Sequence, residues 1–140
     1  MIRPTTSIST AVIPVGSSGD GPHGLCAGPD GALWVTLVFA SGRVGRIDPV
    51  GRIDVIDLAD RSSRPHAVVV DPDGGCWVTL WGSHQVAHVA TDRTIELSTC
   101  RRTANRTVWL FGPDDGLWVA LESGALARVD AGRHGRSARQ

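Results

Sequence analysis

Two histidines stand in the same setting. His23 follows Pro22 in PHGLCAGPDGALWVT (residues 22–36), and His66 follows Pro65 in PHAVVVDPDGGCWVT (residues 65–79). Imidazole ordinarily titrates near neutral pH, so two such rings can move protons, ligate a metal or hold an anion. Pro-His also has a purely structural use, and the commoner one. It makes a turn that opens a strand, with the ring bonded to a neighbouring backbone group. The choice depends on where the surrounding repeat places the two rings.

Pro29, Pro72 and Pro113 each begin a Pro-Asp-Gly or Pro-Asp-Asp turn and stand five residues before Trp34, Trp77 and Trp118. The tryptophans lie 43 and 41 residues apart. A period of about 42 residues is the mark of a repeat architecture. ALWVTL, RVGRID and RIDVIDL are short, β-branched or alternating, and punctuated by PDG, SG and PVG. These are strand and tight-turn signals, and the lack of any longer 3.6-residue stripe excludes helical repeats. Proline pre-sets φ, aspartate bonds the backbone ahead and glycine accepts positive φ, so Pro-Asp-Gly turns the chain sharply. About four short strands per period make one blade of a β-propeller. The repeated tryptophan then packs between neighbouring sheets as core.

The pattern predicts a strand over residues 9–15, a blade over 22–58, a second over 65–97 and a partial third over 106–130, with a polar tail over 131–140. Val15 stands seven residues before Pro22, as Leu58 stands seven before Pro65. Residues 9–15 therefore read as a fourth strand without its first three, while the third blade lacks its fourth. The expected fold is all-β. It has three propeller blades per chain, the third completed by an N-terminal strand from a partner, and two chains forming a six-bladed homodimeric ring. His23 and His66 would open the innermost strands of successive blades and meet at one channel mouth.

Composition excludes other classes. The 140 residues are 41% apolar, with 14 acidic against 14 basic side chains. This balance gives no electrostatic reason to bind nucleic acid or an anionic membrane. No apolar run reaches the roughly 20 residues of a membrane span, and the N-terminus has no signal-peptide core, which reads as cytoplasmic. Cys26, Cys76 and Cys100 are odd in number and widely spaced, as expected of small buried residues. His84 and His88 share one strand face and read as surface residues. Arg43, Arg46 and Arg52 read as blade-to-blade pairing partners, and Arg133, Arg136 and Arg139 as a solvated tail.

The units PHGLCAGPDGALWVT…GRVGRIDP, PHAVVVDPDGGCWVTLWGSHQVAHV and GLWVALESGALARVD resemble the repeats of the virginiamycin B lyase (streptogramin lyase) family, above all its C-terminal half. The resemblance implies an activity: elimination at the ester of a cyclic depsipeptide antibiotic, assisted by magnesium and by channel-facing histidines and a glutamate. Such an elimination needs a base for the proton beside a carbonyl and an acid for the leaving oxygen. By the same resemblance His66 is the catalytic histidine. The family's glutamate falls on Leu80 in VTLWG, and its next histidine falls on Thr107 in NRTVW. Leu80 offers no carboxylate and Thr107 is a poor base. Glu122 lies one place beyond the matching position of the third unit, on the opposite strand face. No metal ligand is assigned. Two functions follow: an impaired carbon–oxygen lyase acting on a small cyclic peptide, or a non-catalytic binding or scaffold propeller.

Overall fold

The computed structural model describes residues 10–39, 42–58, 60–99, 108–111, 117–121 and 124–129. All its regular elements are antiparallel strands. The first sheet runs in the order β1 (Pro22–Ala27), β2 (Leu33–Leu37), β3 (Arg43–Ile47), β4 (Ile53–Asp57). The second repeats it with β5 (Pro65–Val70), β6 (Cys76–Leu80), β7 (Gln85–Val89) and β8 (Ile95–Thr99). A third sheet has β9 (Val108–Phe111), β10 (Leu117–Leu121) and β11 (Ala125–Val129), with β10 in the middle.

The turns behave as their residues dictate. Gly31 N–H donates to the Gly28 carbonyl at 3.1 Å, and Gly74 N–H to the Asp71 carbonyl at 3.0 Å. Both glycines sit at positive φ, +84° and +97°, where a side chain would be strained. Each proline fills the second turn position, which suits its fixed φ.

The sheets stack face to face, with β1 and β2 against β5 and β5 reaching β9. Side chains alternate along a strand, so one face of the first sheet presents Trp34, Val44 and Ile56. These pack on Val68, Cys76, Val78, Ala87 and Val89 from the facing side of the second sheet. Trp34 is fully buried there, as the repeat required.

Three details differ from the sequence expectation. Residues 10–15 are assigned to no strand, because no described strand of this chain lies alongside to satisfy their backbone groups. Val15 instead rests over Gly45 on the outward face of the first sheet, where a Gly45 Cβ would come 3.1 Å from Val15 Cγ1. Arg43 and Arg46 pair within their own sheet: Arg43 with Asp57, directly across its hairpin, at 2.9 Å, and Arg46 with Asp30 of the β1–β2 turn at 2.6 Å. A cross-sheet ion pair is made by Arg93, which reaches back to Asp54. Arg133, Arg136, Arg139 and Cys100 lie outside the described residues. Among the described residues no helix is long and apolar enough to cross a membrane.

Candidate functional site

Each innermost strand carries the same irregularity. Pro22 pairs with Leu37 and Leu25 with Val35, so His23 and Gly24 together oppose Thr36. Pro65 pairs with Leu80 and Val68 with Val78, so His66 and Ala67 oppose Thr79. Two residues against one is a β-bulge, which leaves a backbone N–H without its ladder partner and re-aims the side chain beside it. The threonine hydroxyl takes up that N–H. Thr36 Oγ1 accepts from Gly24 at 2.8 Å, and Thr79 Oγ1 accepts from Ala67 at 2.9 Å.

Thr36 also reaches the next sheet, donating its hydroxyl proton to the His66 carbonyl at 2.8 Å. Gly24 permits this approach, since a Cβ there would stand 2.5 Å from the same carbonyl. The result is a fixed spacing between the two bulges. The His23 and His66 rings lie 4.3 Å apart between centroids, tilted by 37°. His23 is exposed and His66 half-buried. The repeat therefore brings the two Pro-His imidazoles together on adjacent innermost strands, in contact with each other.

The remaining predicted positions fall elsewhere. Leu80 is buried in the apolar cluster between the sheets, as Leu37 is buried in the first. Thr107 and Glu122 lie outside the described residues. His84 precedes β7 at positive φ, 55°, and does not share a strand with His88. His88 is a packed residue and not a surface one. Its ring stacks on Trp77 with centroids 4.5 Å apart, and its Nε2 lies 2.7 Å from Asp71 Oδ2. Cys76 is buried among apolar side chains, and that burial pushes its thiol pKa far up, so it is no nucleophile.

Thr36 and Thr79 were not singled out in the sequence, although each stands 13 residues after its histidine. WVT reads as an ordinary β-branched strand, and only the bulge gives the threonine a task.

Magnesium takes hard oxygen donors in a near-octahedral set. By the family resemblance Leu80 places an isobutyl group where a carboxylate is expected. Among the described residues no three His, Cys, Asp or Glu side chains gather as a metal set. Two imidazoles without a carboxylate do not fit that ion.

A sequence profile of the virginiamycin B lyase family matches residues 2–129. This chain belongs to that family. Over 42 residues it is 50% identical to the virginiamycin B lyase of Mycobacterium sp. strain KMS, covering 30% of this chain and 15% of the relative. Over 31 residues it is 61% identical to the virginiamycin B lyase of Saccharopolyspora erythraea, covering 22% of this chain and 10% of that one. A solved streptogramin B lyase superposes with a TM-score of 0.71 at 22% identity, over 84% of this chain and 43% of that chain. Selenomethionine-substituted virginiamycin B lyase from Staphylococcus aureus superposes at 0.70 and 22% identity, over 83% and 43%. A putative gluconolactonase gives 0.68 at 20% identity, over 86% and 49%. At these identities the structures speak for the β-propeller fold alone. The chain thus covers less than half of each of these solved propellers.

Proposed function

We propose that this chain forms a streptogramin lyase-type site reduced to its two imidazoles, one that binds an ester-containing cyclic peptide and eliminates across it poorly. The observation that supports this reading is the 4.3 Å contact between His23 and His66 on adjacent innermost strands. Elimination needs one group to take the proton from the carbon beside a carbonyl and another to protonate the departing ester oxygen. Two neighbouring imidazoles can hold these two states in turn. His66, fixed through its carbonyl by Thr36, is assigned the base, and the more exposed His23 the acid.

Leu80 carries the argument for impairment. An alkyl side chain at that place supplies neither a metal ligand nor charge to stabilise the enolate-like transition state. Such a loss of electrostatic stabilisation typically costs about two to three orders of magnitude in rate. The same residue favours the second reading, a propeller that retains the binding surface without turnover. The free thiols of Cys26 and Cys76 support a cytoplasmic setting for either.

Incubation with virginiamycin B, with and without magnesium, followed by mass analysis of the linear product, tests the assignment. Slow product formation that His66→Ala abolishes and magnesium does not accelerate is the expected result. Peptide binding seen as shifts of the His23 and His66 ring resonances, without product, establishes the non-catalytic module. Neither binding nor product overturns both.

A further inference from the structure

The first two repeats differ at the point where each innermost strand begins. The residue before Pro-His is Gly21 in the first and Arg64 in the second, and the backbone treats them alike. Val38 N–H donates to the Gly21 carbonyl at 3.0 Å, and Trp81 N–H donates to the Arg64 carbonyl at 3.1 Å. One residue further out, Phe39 N–H donates to the Asp20 carbonyl and Gly82 N–H to the Ser63 carbonyl. Gly21 and Arg64 both stand at positive φ, 66° and 50°. Glycine adopts that conformation freely, whereas arginine is strained there.

Three differences go together. In the first repeat a Cβ at position 21 would lie 2.5 Å from Phe39 Cδ2, so no side chain fits. The second repeat has Gly82 where the first has Phe39, which clears that space. It has Trp81 where the first has Val38, which supplies a ring. The Arg64 guanidinium lies 5.5 Å from the centre of the Trp81 ring, within the roughly 6 Å of a cation–π contact. A guanidinium that meets an indole through its face still has its N–H edge to give, and that edge matches a carboxylate with two parallel bonds. Arg64 is exposed, and none of the ion pairs among the described residues involves it. Asp60, the nearest carboxylate in sequence, accepts instead from the Ser62 N–H and hydroxyl, each at 2.8 Å. A repeat position that suits glycine thus carries a strained arginine with its own aromatic support, which points to a use for the side chain beyond folding.

Arg64 stands two residues before His66, so their Cα atoms are at most about 7 Å apart. Elimination across an ester takes a proton from the carbon beside a carbonyl, forms a carbon–carbon double bond and breaks the bond from the next carbon to the ester oxygen. The electron pair of that bond leaves on the oxygen, and the freed carboxyl group is ionised at neutral pH. We propose that Arg64, backed by Trp81, is the carboxylate-binding residue of this site. It holds the carboxylate that the ester becomes, and equally a peptide that already ends in one. Holding the released carboxylate rests on the elimination read from His23 and His66; the carboxylate subsite stands without it.

N-acetylphenylalanine and its uncharged amide are the probes, followed through the Arg64 side-chain N–H and Trp81 indole N–H resonances. The acid is expected to bind saturably and the amide about tenfold more weakly, the usual worth of a hydrogen bond to a charged group. Arg64→Gly, which suits the positive φ, is expected to weaken binding of the acid by a similar factor without lowering the denaturant midpoint. Arg64→Lys is expected to keep part of the binding, since it has the charge without the fork. Equal affinity for acid and amide overturns the proposal. So does an Arg64→Gly variant that binds the acid as the parent does, whatever its midpoint. Carboxylate binding without turnover of virginiamycin B upholds the subsite and retires the elimination reading; turnover without carboxylate binding does the reverse.

Discussion

In the first sheet the Arg46 guanidinium lies 5.7 Å from the centre of the Trp34 ring and holds Asp30 at 2.6 Å. In the second sheet His88 occupies the matching place, stacked on Trp77 and bonded to Asp71 at 2.7 Å. Both arrangements lay a nitrogen-bearing planar group over the repeated indole face and tie it to the preceding turn. The carboxylate comes from a different residue each time. Asp30 sits inside its turn and also accepts the Ala32 N–H at 3.1 Å. Asp71 holds the first position of its turn, where the first repeat has Gly28, and accepts Asp73 N–H at 2.8 Å and Gly75 N–H at 3.1 Å. The repeat therefore preserves a nitrogen-bearing side chain stacked on tryptophan and a capped turn, and lets the residues that supply them change.

The two tryptophans are not equally placed, and this is the difference with the largest expected effect. Trp34 is sealed between two sheets and Trp77 only half-buried. Trp34→Ala is expected to lower stability by about 3–5 kcal/mol, the usual cost of emptying a buried aromatic site. Trp77→Ala is expected to cost less than half of that. Denaturant titration of both variants checks the order, and equal losses would remove the distinction.

Next comes the bulge. Gly24→Ala would push a methyl group onto the His66 carbonyl, 2.5 Å from the new Cβ, and is expected to cost about 1–3 kcal/mol as overpacking against backbone. Ala67 already carries a Cβ at the matching place, so Ala67→Gly is expected to cost under about 1 kcal/mol, mainly through backbone entropy. Gly24→Ala should also separate the two imidazoles, read as loss of the cross-peak between the His23 and His66 rings in a nuclear Overhauser spectrum. A retained cross-peak with unchanged stability would mean that the sheets can part without cost.

The smallest effect concerns Asp30. The Ala32 N–H, then Arg46, hold its carboxyl below the ordinary value of 3.8. A depressed folded-state pKa contributes stability that is fully present above the unfolded value and is lost as pH falls through the folded one. The stability gap between the parent and Asp30→Asn is therefore expected to be constant above about pH 5 and to shrink below about pH 4. At so exposed a pair it should stay below about 1 kcal/mol. Thermal unfolding between pH 3 and pH 6 measures it, and a gap that widens on acidification would reverse the assignment.

The sheets were legible because their signals are local. Pro-Asp-Gly, the alternation around Trp34 and Trp77, and the regular tryptophan spacing all follow from neighbours in sequence. The meeting of His23 and His66 followed as well, since identical positions on stacked repeats must come close. What sequence did not disclose are choices made across strands. Arg43 and Arg46 had several aspartates within reach, and only the register selects Asp57 and Asp30. His88 read as a surface residue because its partner Asp71 lies 17 positions away, across a hairpin. The bulge itself is silent in the sequence, because one extra residue in an extended run leaves the apolar pattern almost unchanged.

One consequence follows from the hydroxyl of Thr36, which accepts from its own sheet and donates to the next. Stacked repeats often behave as a chain of nearly independent units that can peel away from an end. Here the first sheet cannot loosen its inner strand without also exposing a carbonyl of the second, so opening either one raises the energy of both. Amide protons at Gly24 and on the β5 residues that follow Pro65 should accordingly exchange with solvent in a single concerted event, making the inner strands the slowest part of the molecule to breathe.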